Sequence, residues 1–356
     1  EYLHVIPPGS FFRASSHITS RYRFNTCGTF HNVPPRSVHR SCRYILAGIP
    51  KQHRERRLSL FSKVYSGGLR GIDGYVVQVE ADVSDGLPGF YMVGSLASEV
   101  REAEERVRTA MRNAGFHLSA RKITVNLSPA NVRKEGTACD LPVAIAVLAA
   151  YGIVMPSGLK QTGFLGELGL DGKIKPVRGV LSMVLAMAEK GLERCFLPEE
   201  NVEEGVAADC MEIVKIRNLQ EVVEFLNEPD RICFERASDL SGIQAAYGVD
   251  FCEVNGQKLM RRATEVAVAG GHNLLYIGPP GSGKSMMARR IPTIMPELSR
   301  EEQLEVSKVY SICGMLPEGH ALVGTRPYRA PHHTISAQAL TGGGIWPKPG
   351  EISLAS

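Results

Sequence analysis

The sequence predicts a mixed α/β protein with two folded parts. Runs in which apolar and polar residues alternate, as in a β-strand, are interspersed with runs whose apolar residues recur at helical spacing. A glycine-rich loop lies between a short apolar run and a helix-compatible run, which is a strand–loop–helix order. With 356 residues, 44% hydrophobic and 22% charged, the chain is long enough for two globular domains and shows no sign of wholesale disorder.

The first folded part is expected at residues 58–228. Residues 75–83 and 122–127 alternate apolar and polar side chains and predict two strands. Between them, Ser98 is the expected N-cap of an amphipathic helix that ends at Gly115.

Two further elements, a helix and a hairpin, precede two more helices and short strands that extend to Leu226. Residues 141–150 are apolar on all sides, which predicts a fully buried helix. Residues 163–168 and 174–177 flank an Asp-Gly turn and predict a hairpin. The stretch 229–247 contains a proline and a mixed run of charges, and it is the expected linker to a second part at residues 248–356.

The basic charge of the chain is concentrated in residues 1–57. This stretch holds nine Arg and one Lys against two Glu, a net charge of +8, whereas the whole chain has a net charge of +4. A nucleic-acid-binding arm and an organelle transit peptide are both compatible with this composition. Because the stretch has no sustained period and no Met precedes Met92, we expect a non-native or disordered basic leader, with the natural start near Leu58 or Leu60.

Other classes of protein are disfavoured by composition. No apolar run approaches the ~18 residues of a membrane span, and the N-terminus lacks the features of a secretory signal. The eight Cys residues include no C-x-x-C pair, so neither a zinc site nor a disulfide framework is predicted. We therefore expect a cytoplasmic protein without a membrane partner.

The strongest motif is the glycine-rich loop, which fits G-x-x-x-x-G-K-[ST] between an apolar run and a helix-compatible run. Its residues are Gly278, Pro279, Pro280, Gly281, Ser282, Gly283, Lys284 and Ser285. Glycines let backbone N–H groups turn toward phosphate oxygens, and the following helix presents its positive dipole end to the same anion. We expect Lys284 to reach the β and γ phosphates of ATP and Ser285 to ligate Mg²⁺. The alternative is a glycine-rich turn that binds nothing.

Several motifs around this loop carry a family resemblance. They are Val254-Asn-Gly-Gln257, Ala269-Gly-Gly-His-Asn-Leu-Leu275, Arg326-Pro-Tyr-Arg-Ala-Pro-His-His333, and Gly342-Gly-Gly followed by Pro349-Gly-Glu-Ile-Ser-Leu354. Through them, residues 60–355 resemble the magnesium-chelatase-like AAA+ family, and most closely its branch of bacterial competence proteins. The resemblance implies a Lon-protease-like domain followed by an AAA+ ATPase that forms a hexameric ring and acts on DNA as a helicase. By resemblance alone, Val254 to Gln257 are expected to contact the adenine base.

The first part also resembles the Lon peptidase domain, through Lys134-Glu-Gly136 and residues 163–177. A Lon-type peptidase needs a serine nucleophile and a lysine that deprotonates it. The corresponding positions here hold Ala138 and Leu181, so we expect a degenerate domain without protease activity. Ser128 and Lys134 are a substitute pair on paper, and the alternative is a turn and a solvated charge.

The sequence departs from the family pattern at Ser356, before the Walker B acidic pair, the sensor and the arginine finger. Phosphoryl transfer depends on positioning and charge neutralisation, so we expect ATP binding but poor hydrolysis by the chain as given, and no catalytic residue is assigned within it. Three interpretations stay open: a DNA-translocating motor, a chelatase-type ATPase that remodels a protein partner, and a truncated nucleotide-binding module without turnover.

A DNA-binding role rests on the resemblance, because the folded region is net acidic and lacks a broad basic footprint. Candidate phosphate contacts are Arg121, Lys122, Arg133, Lys134, Arg289 and Arg290. His332 and His333 adjoin each other in a proline-flanked loop, and we expect their side chains to point apart, which argues against a metal chelate. Gly342 to Gly344 with Trp346 indicate either a pore-facing hairpin in a ring or a plain loop.

Overall fold

The computed structural model describes residues 60–235, 247–316, 322–344 and 348–355, together with the backbone of residues 3–5. The rest of the expected leader, residues 236–246 of the expected linker, and Trp346 lie outside the described residues. Within the described ranges, no helix has both the length and the apolar character needed to cross a bilayer.

The strands belong to one large sheet and three small ones. In chain order they are β1 (Leu3–Val5), β2 (Phe61–Arg70), β3 (Asp73–Ser84), β4 (Gly89–Val93), β5 (Lys122–Ser128), β6 (Thr162–Phe164), β7 (Glu167–Leu168), β8 (Ile174–Lys175), β9 (Arg194–Pro198), β10 (Glu212–Ile216), β11 (Phe234–Glu235), β12 (Leu274–Tyr276), β13 (Gly342–Gly343) and β14 (Lys348–Pro349). Eight of them form a mixed sheet in the order β11-β10-β9-β6-β2-β3-β5-β4. The mixed α/β class predicted from the sequence is confirmed.

Helices pack against this sheet and build the second part. They are α1 (Ser98–Asn113), α2 (Asp140–Ala150), α3 (Val180–Glu189), α4 (Val202–Ala207), α5 (Leu219–Asn227), α6 (Lys258–Ala269), α7 (Lys284–Arg290), α8 (Arg300–Cys313), α9 (Ala337–Thr341) and α10 (Glu351–Leu354). Helix α2 is buried along its whole length, as its all-apolar sequence predicts. Helix α1 begins at Ser98 itself with Ala97 in the N-cap position, so the prediction of Ser98 as the cap is wrong by one residue.

The alternation of β3 and β5 appears directly in the sheet. The two strands pair antiparallel with Val79 opposite Leu127 and Ala81 opposite Val125. These four side chains are fully buried, while the intervening polar residues face the other side. Strands β7 and β8 pair antiparallel, which confirms the predicted hairpin.

Strand β2 has no counterpart among the sequence predictions. Its inward positions include Ser62 and Ser66, both buried, so the apolar alternation that marks a half-buried strand is broken. The Ser62 hydroxyl donates to the carbonyl oxygen of Ala146 in α2 at 2.6 Å. A Cβ atom at Gly67 would lie 2.5 Å from Cβ of Met183, so this glycine allows α3 to approach the strand backbone closely.

The start of the expected linker belongs to the large sheet. Residues Pro229–Arg231 form a 3₁₀ turn, and β11 then pairs antiparallel with β10. The ordered first part therefore continues at least to residue 235, and the boundaries between the two parts remain predictions.

Candidate nucleotide-binding site

The glycine-rich loop connects β12 to α7, which is the order that its sequence predicts. Tyr276 at the end of β12 is buried and lies 2.5 Å, oxygen to oxygen, from the Thr264 hydroxyl of α6. Met287 and Ile291 pack into the same small core as Tyr276. Strand and helix are thus held by side chains outside the loop, so the loop is anchored at both ends.

The backbone of the loop takes conformations that favour glycine. Gly281 has φ +79° and Gly283 has φ +88°, both in the left-handed region where a Cβ atom is costly. A Cβ atom at Gly281 would meet no heavy atom within 4 Å, so the loop is open on this side. The Gly283 carbonyl accepts the backbone N–H of Met287 at 2.9 Å and so begins the hydrogen-bond pattern of the helix.

Lys284 directs its side chain back into the loop. Its Nζ donates to the carbonyl oxygens of Gly278 at 2.8 Å and Pro279 at 2.9 Å, and it lies 3.4 Å from Ser282 Oγ. Only 8% of the residue is exposed. The ammonium group is therefore fixed inside the curve of the loop, while Ser285, the next residue, is exposed at the start of the helix.

These features fit a magnesium nucleotide. A cradle that is open at Gly281, a positive charge held inside it and an exposed hydroxyl at Ser285 are the groups needed for phosphate oxygens and Mg²⁺. The proline pair between the two ends of the loop is exposed, so it does not fill this space.

The far end of α7 is tied to the segment before α6. Arg290 donates to Glu253 at 2.5 Å and to the carbonyl oxygen of Asp250 at 3.1 Å. Val254, expected by resemblance near the adenine base, has a fully buried side chain in the core of the second part. Its carbonyl oxygen accepts a hydrogen bond from Arg261 at 3.0 Å. A contact with a base through the Val254 side chain is incompatible with this burial.

The two positions expected to correspond to a Lon-type dyad, Ala138 and Leu181, are both apolar. Leu181 is fully buried in a cluster that includes Leu165 and Met183, and Ala138 packs against the same cluster. Neither side chain carries a hydroxyl or an amine, so proton transfer between these two positions has no chemical basis.

Lys134 is not the solvated charge expected as the alternative. It is 1% exposed, and its Nζ donates to the carbonyl oxygens of Pro129 and Val132, the latter at 2.9 Å. Its backbone N–H also donates to Ser95. Burial lowers the pKa of Lys134. The ammonium group closes its own loop, so it is available neither to Ser128 as a base nor to DNA as a surface charge.

The other basic candidates are not gathered into one patch. Arg121 lies 3.6 Å from Asp85, and the Lys122 ammonium lies 5.8 Å from the centre of the Tyr91 ring, both near the start of β5. Arg289 and Arg290 lie on α7 in the second part. The exposed guanidinium of Arg289 is the more accessible of these two, because Arg290 is held by Glu253.

His332 and His333 do not point apart. Their ring centroids are 4.1 Å apart, and Nδ1 of His332 lies 2.7 Å from the Thr334 hydroxyl. The predicted divergence is wrong because the loop places the two rings against each other. Among the residues that the structure describes, no group of three or more His, Cys, Asp or Glu could hold a metal ion.

Comparison with known proteins places these features in a family. Residues 250–356 match the family model of magnesium chelatase, subunit ChlI, and residues 79–201 match a second model of subunit ChlI of magnesium chelatase. The fold and the loop therefore define a magnesium-chelatase-like AAA+ protein, and the chain belongs to this family, as its motifs predict.

Individual relatives agree with this assignment. The competence protein ComM of Haemophilus influenzae is 40% identical over 299 residues, which are 82% of this chain and 58% of the relative. The uncharacterized protein YifB of Escherichia coli is 38% identical over 294 residues, 83% of this chain and 57% of the relative. A Lon protease of Mycolicibacterium smegmatis is 26% identical over 167 residues, 44% of this chain and 21% of the relative. The chain thus spans less than two thirds of the ComM and YifB relatives.

Some structurally important residues were not identified from the sequence. Arg106 forms an ion pair with the buried carboxylate of Asp140, and Glu204 and Ser311 form a buried hydrogen bond between the two parts. A signal for Asp140 was present, since it is the one charged residue at the start of a helix that is otherwise apolar on every side. No local pattern marks Glu204 or Ser311.

Proposed function

We propose that this chain binds Mg²⁺-ATP in the loop Gly278–Ser285, as the nucleotide-binding portion of a ring-forming ATPase that acts on DNA. The observation that carries the proposal is the position of Lys284. Its ammonium group donates to the carbonyl oxygens of Gly278 and Pro279, inside a loop whose Gly281 and Gly283 have left-handed backbone conformations. Lys134 also bonds to carbonyl oxygens of its own loop, but Lys284 differs from it in lying within the G-x-x-x-x-G-K-[ST] spacing, beside an open Gly281 and an exposed Ser285.

Four residues of the loop have assigned roles in this proposal. Gly281 and Gly283 let the backbone N–H groups face the phosphate oxygens. Lys284 neutralises charge on the β and γ phosphates, and Ser285 offers its exposed hydroxyl to Mg²⁺. When bound, Mg²⁺ supplies neutralisation of the charge that develops on the phosphate oxygens.

The DNA and ring components rest on similarity. The matching family model is that of a magnesium-chelatase subunit, and a 40% identical relative is a competence protein, which supports a role on DNA. Because the chain spans 58% of ComM, the hydrolytic and DNA-directed activities are proposed for the whole protein in which this sequence occurs.

Nucleotide binding is tested by titrating a fluorescent ATP analogue with and without Mg²⁺. Lys284→Ala removes charge-assisted contacts worth about 1.5–3 kcal/mol, which corresponds to a roughly tenfold to hundredfold weaker affinity. Lys258→Ala is the matched control, because Lys258 is an exposed lysine at the start of α6 in the same part of the chain. Equal affinities of the two variants would refute the assigned role of Lys284.

The role of DNA is tested by measuring ATP turnover of the whole protein with single-stranded and with branched DNA. DNA-stimulated turnover that Lys284→Ala abolishes supports the motor. Turnover indifferent to DNA but dependent on a partner protein supports a chelatase-type remodelling ATPase, and binding without turnover supports a nucleotide-binding module.

A further inference from the structure

Helix α8 connects the second part of the chain to the first. Its N-terminal residue Arg300 donates to the carbonyl oxygen of Ala207 at the end of α4. Beyond its C-terminal end, Gly314 lies so close to Arg178 that a Cβ atom there would be 3.1 Å from the guanidinium Nε. Leu322, which follows α8 in the chain, is 1% exposed within the core cluster of the first part. The helix is thus held on the first part along its length.

Glu204 lies at the centre of this junction. It is 8% exposed on α4, and its Oε1 accepts the backbone N–H of Leu181 at 2.7 Å. The same oxygen accepts the hydroxyl of Ser311, a buried residue on α8. One carboxylate therefore accepts a backbone N–H from the first turn of α3 and a side-chain hydroxyl from α8.

Helix α8 is in turn connected to the phosphate-binding loop. Glu302, near its start, accepts two hydrogen bonds from Arg326, at 3.1 and 3.3 Å. Tyr328, two residues after Arg326, packs against the core cluster that includes Met287 and Ala288 of α7. A continuous series of packed and hydrogen-bonded groups thus runs from α7 through α8 to Glu204.

We propose that Glu204 acts as a latch between the two parts, because its hydrogen bond with Ser311 fixes α8 on α3 and α4. Through this latch, nucleotide binding at the loop changes the protection of backbone amides in the first part against hydrogen exchange. The Glu204–Ser311 hydrogen bond joins residues 107 positions apart and is buried, so water does not compete for either partner. The nucleotide-dependent half of this inference rests on the proposed function.

The first test is hydrogen exchange measured by mass spectrometry without nucleotide. Ser311→Ala is expected to speed exchange in α3, α4 and α8 by roughly fivefold to thirtyfold, because the latch contributes a buried hydrogen bond to keeping them closed. Ser307→Ala is the matched control: Ser307 is also a buried serine on α8, but its hydroxyl accepts Val323 N–H at 2.8 Å. It is expected to speed exchange in α8 and its following loop only.

A conservative variant separates the latch from a general loss of packing. Glu204→Gln keeps an oxygen that can accept both hydrogen bonds, so exchange in α3 and α4 should stay within about threefold of the wild type. The latch is overturned if Ser311→Ala leaves α3 and α4 unchanged, or if Ser307→Ala affects them equally.

The second test adds Mg²⁺ and a slowly hydrolysed ATP analogue. In the wild type, slower hydrogen exchange in residues 278–285 should be accompanied by a change in the exchange rates of α3 and α4. Ser311→Ala should abolish the change in α3 and α4, while its nucleotide affinity stays within about twofold of the wild type. Protection of the loop without any change in α3 and α4 would refute the coupling and leave the proposed function intact. If nucleotide does not slow hydrogen exchange in residues 278–285, the proposed function is refuted. The nucleotide-free comparison of Ser311→Ala with Ser307→Ala still shows whether the Glu204–Ser311 contact acts as a latch.

Discussion

Replacing Arg106 by Met should destabilise the first part strongly, because it leaves a buried carboxylate without its partner. Arg106 on α1 donates through Nε to Asp140 Oδ2 at 3.0 Å and through Nη2 to Oδ1 at 3.1 Å. The Asp140 side chain is 1% exposed, and it also accepts the Leu168 N–H at 3.4 Å. Met retains the aliphatic bulk of the arginine but none of its hydrogen bonds.

The size of the effect follows from the burial of the two groups. Removing one partner of a buried ion pair costs about 3–5 kcal/mol. The Arg106 side chain is 23% exposed, so water can partly replace the guanidinium and the lower figure of about 3 kcal/mol applies. For a domain of this size, that loss corresponds to a fall in Tm of roughly 6–12 °C.

The assay is urea unfolding at neutral pH followed by circular dichroism, with Arg108→Met as the control. Arg108 lies on the same helix and pairs with Glu105 at 3.8 Å, with both side chains more than half exposed. An exposed pair of this kind contributes about 0–1 kcal/mol. A second variant, Arg106→Met with Asp140→Asn, should recover part of the loss because no buried charge remains.

The pH dependence provides an independent check. Burial raises the pKa of Asp140, and the hydrogen bond from Arg106 opposes that rise. Without Arg106 the pKa rises further, so the folded state holds the proton more tightly than the unfolded state does. The loss should therefore be largest at neutral pH and shrink as pH falls. Equal and small effects of Arg106→Met and Arg108→Met, or a loss independent of pH, would refute the reasoning.

Three more predictions follow from single features. Gly283→Ala places a side chain at φ +88°, so it should lower the free energy of unfolding by about 1–2 kcal/mol and weaken binding of the ATP analogue. Gly248→Ala, with open space and no positive φ, should change neither quantity in parallel titrations. Ser299→Ala removes the capping box of α8 and should cost about 1 kcal/mol in urea unfolding, with no change taken as evidence against the cap. Burial raises the pKa of Glu204 above its usual 4.5, so the unfolding free energy of the wild type should fall relative to that of Glu204→Gln as pH rises from 4.5; parallel pH profiles of the two proteins would contradict it.

The sequence determined the elements whose evidence lies in neighbouring residues. The loop from Gly278 to Ser285, the alternation of β3 and the all-apolar α2 were identified because each is set by spacing along a few consecutive positions. The motifs around the loop also predicted the family, and the comparisons confirm that assignment. Strand β2 was not predicted, because two buried serines and a Gly-Gly pair interrupt the alternation of apolar and polar residues that marks a strand.

Only the tertiary structure decided which polar groups are buried and what they hold. Lys134 reads as a surface charge but turns inward onto two carbonyl oxygens of its own loop. Arg106 meets Asp140 across 34 positions, and Ser311 meets Glu204 across 107. Local periodicity records which face of an element is apolar, whereas a buried polar partner is chosen by how separate elements pack, and the cost of leaving such a group unpaired makes that choice specific.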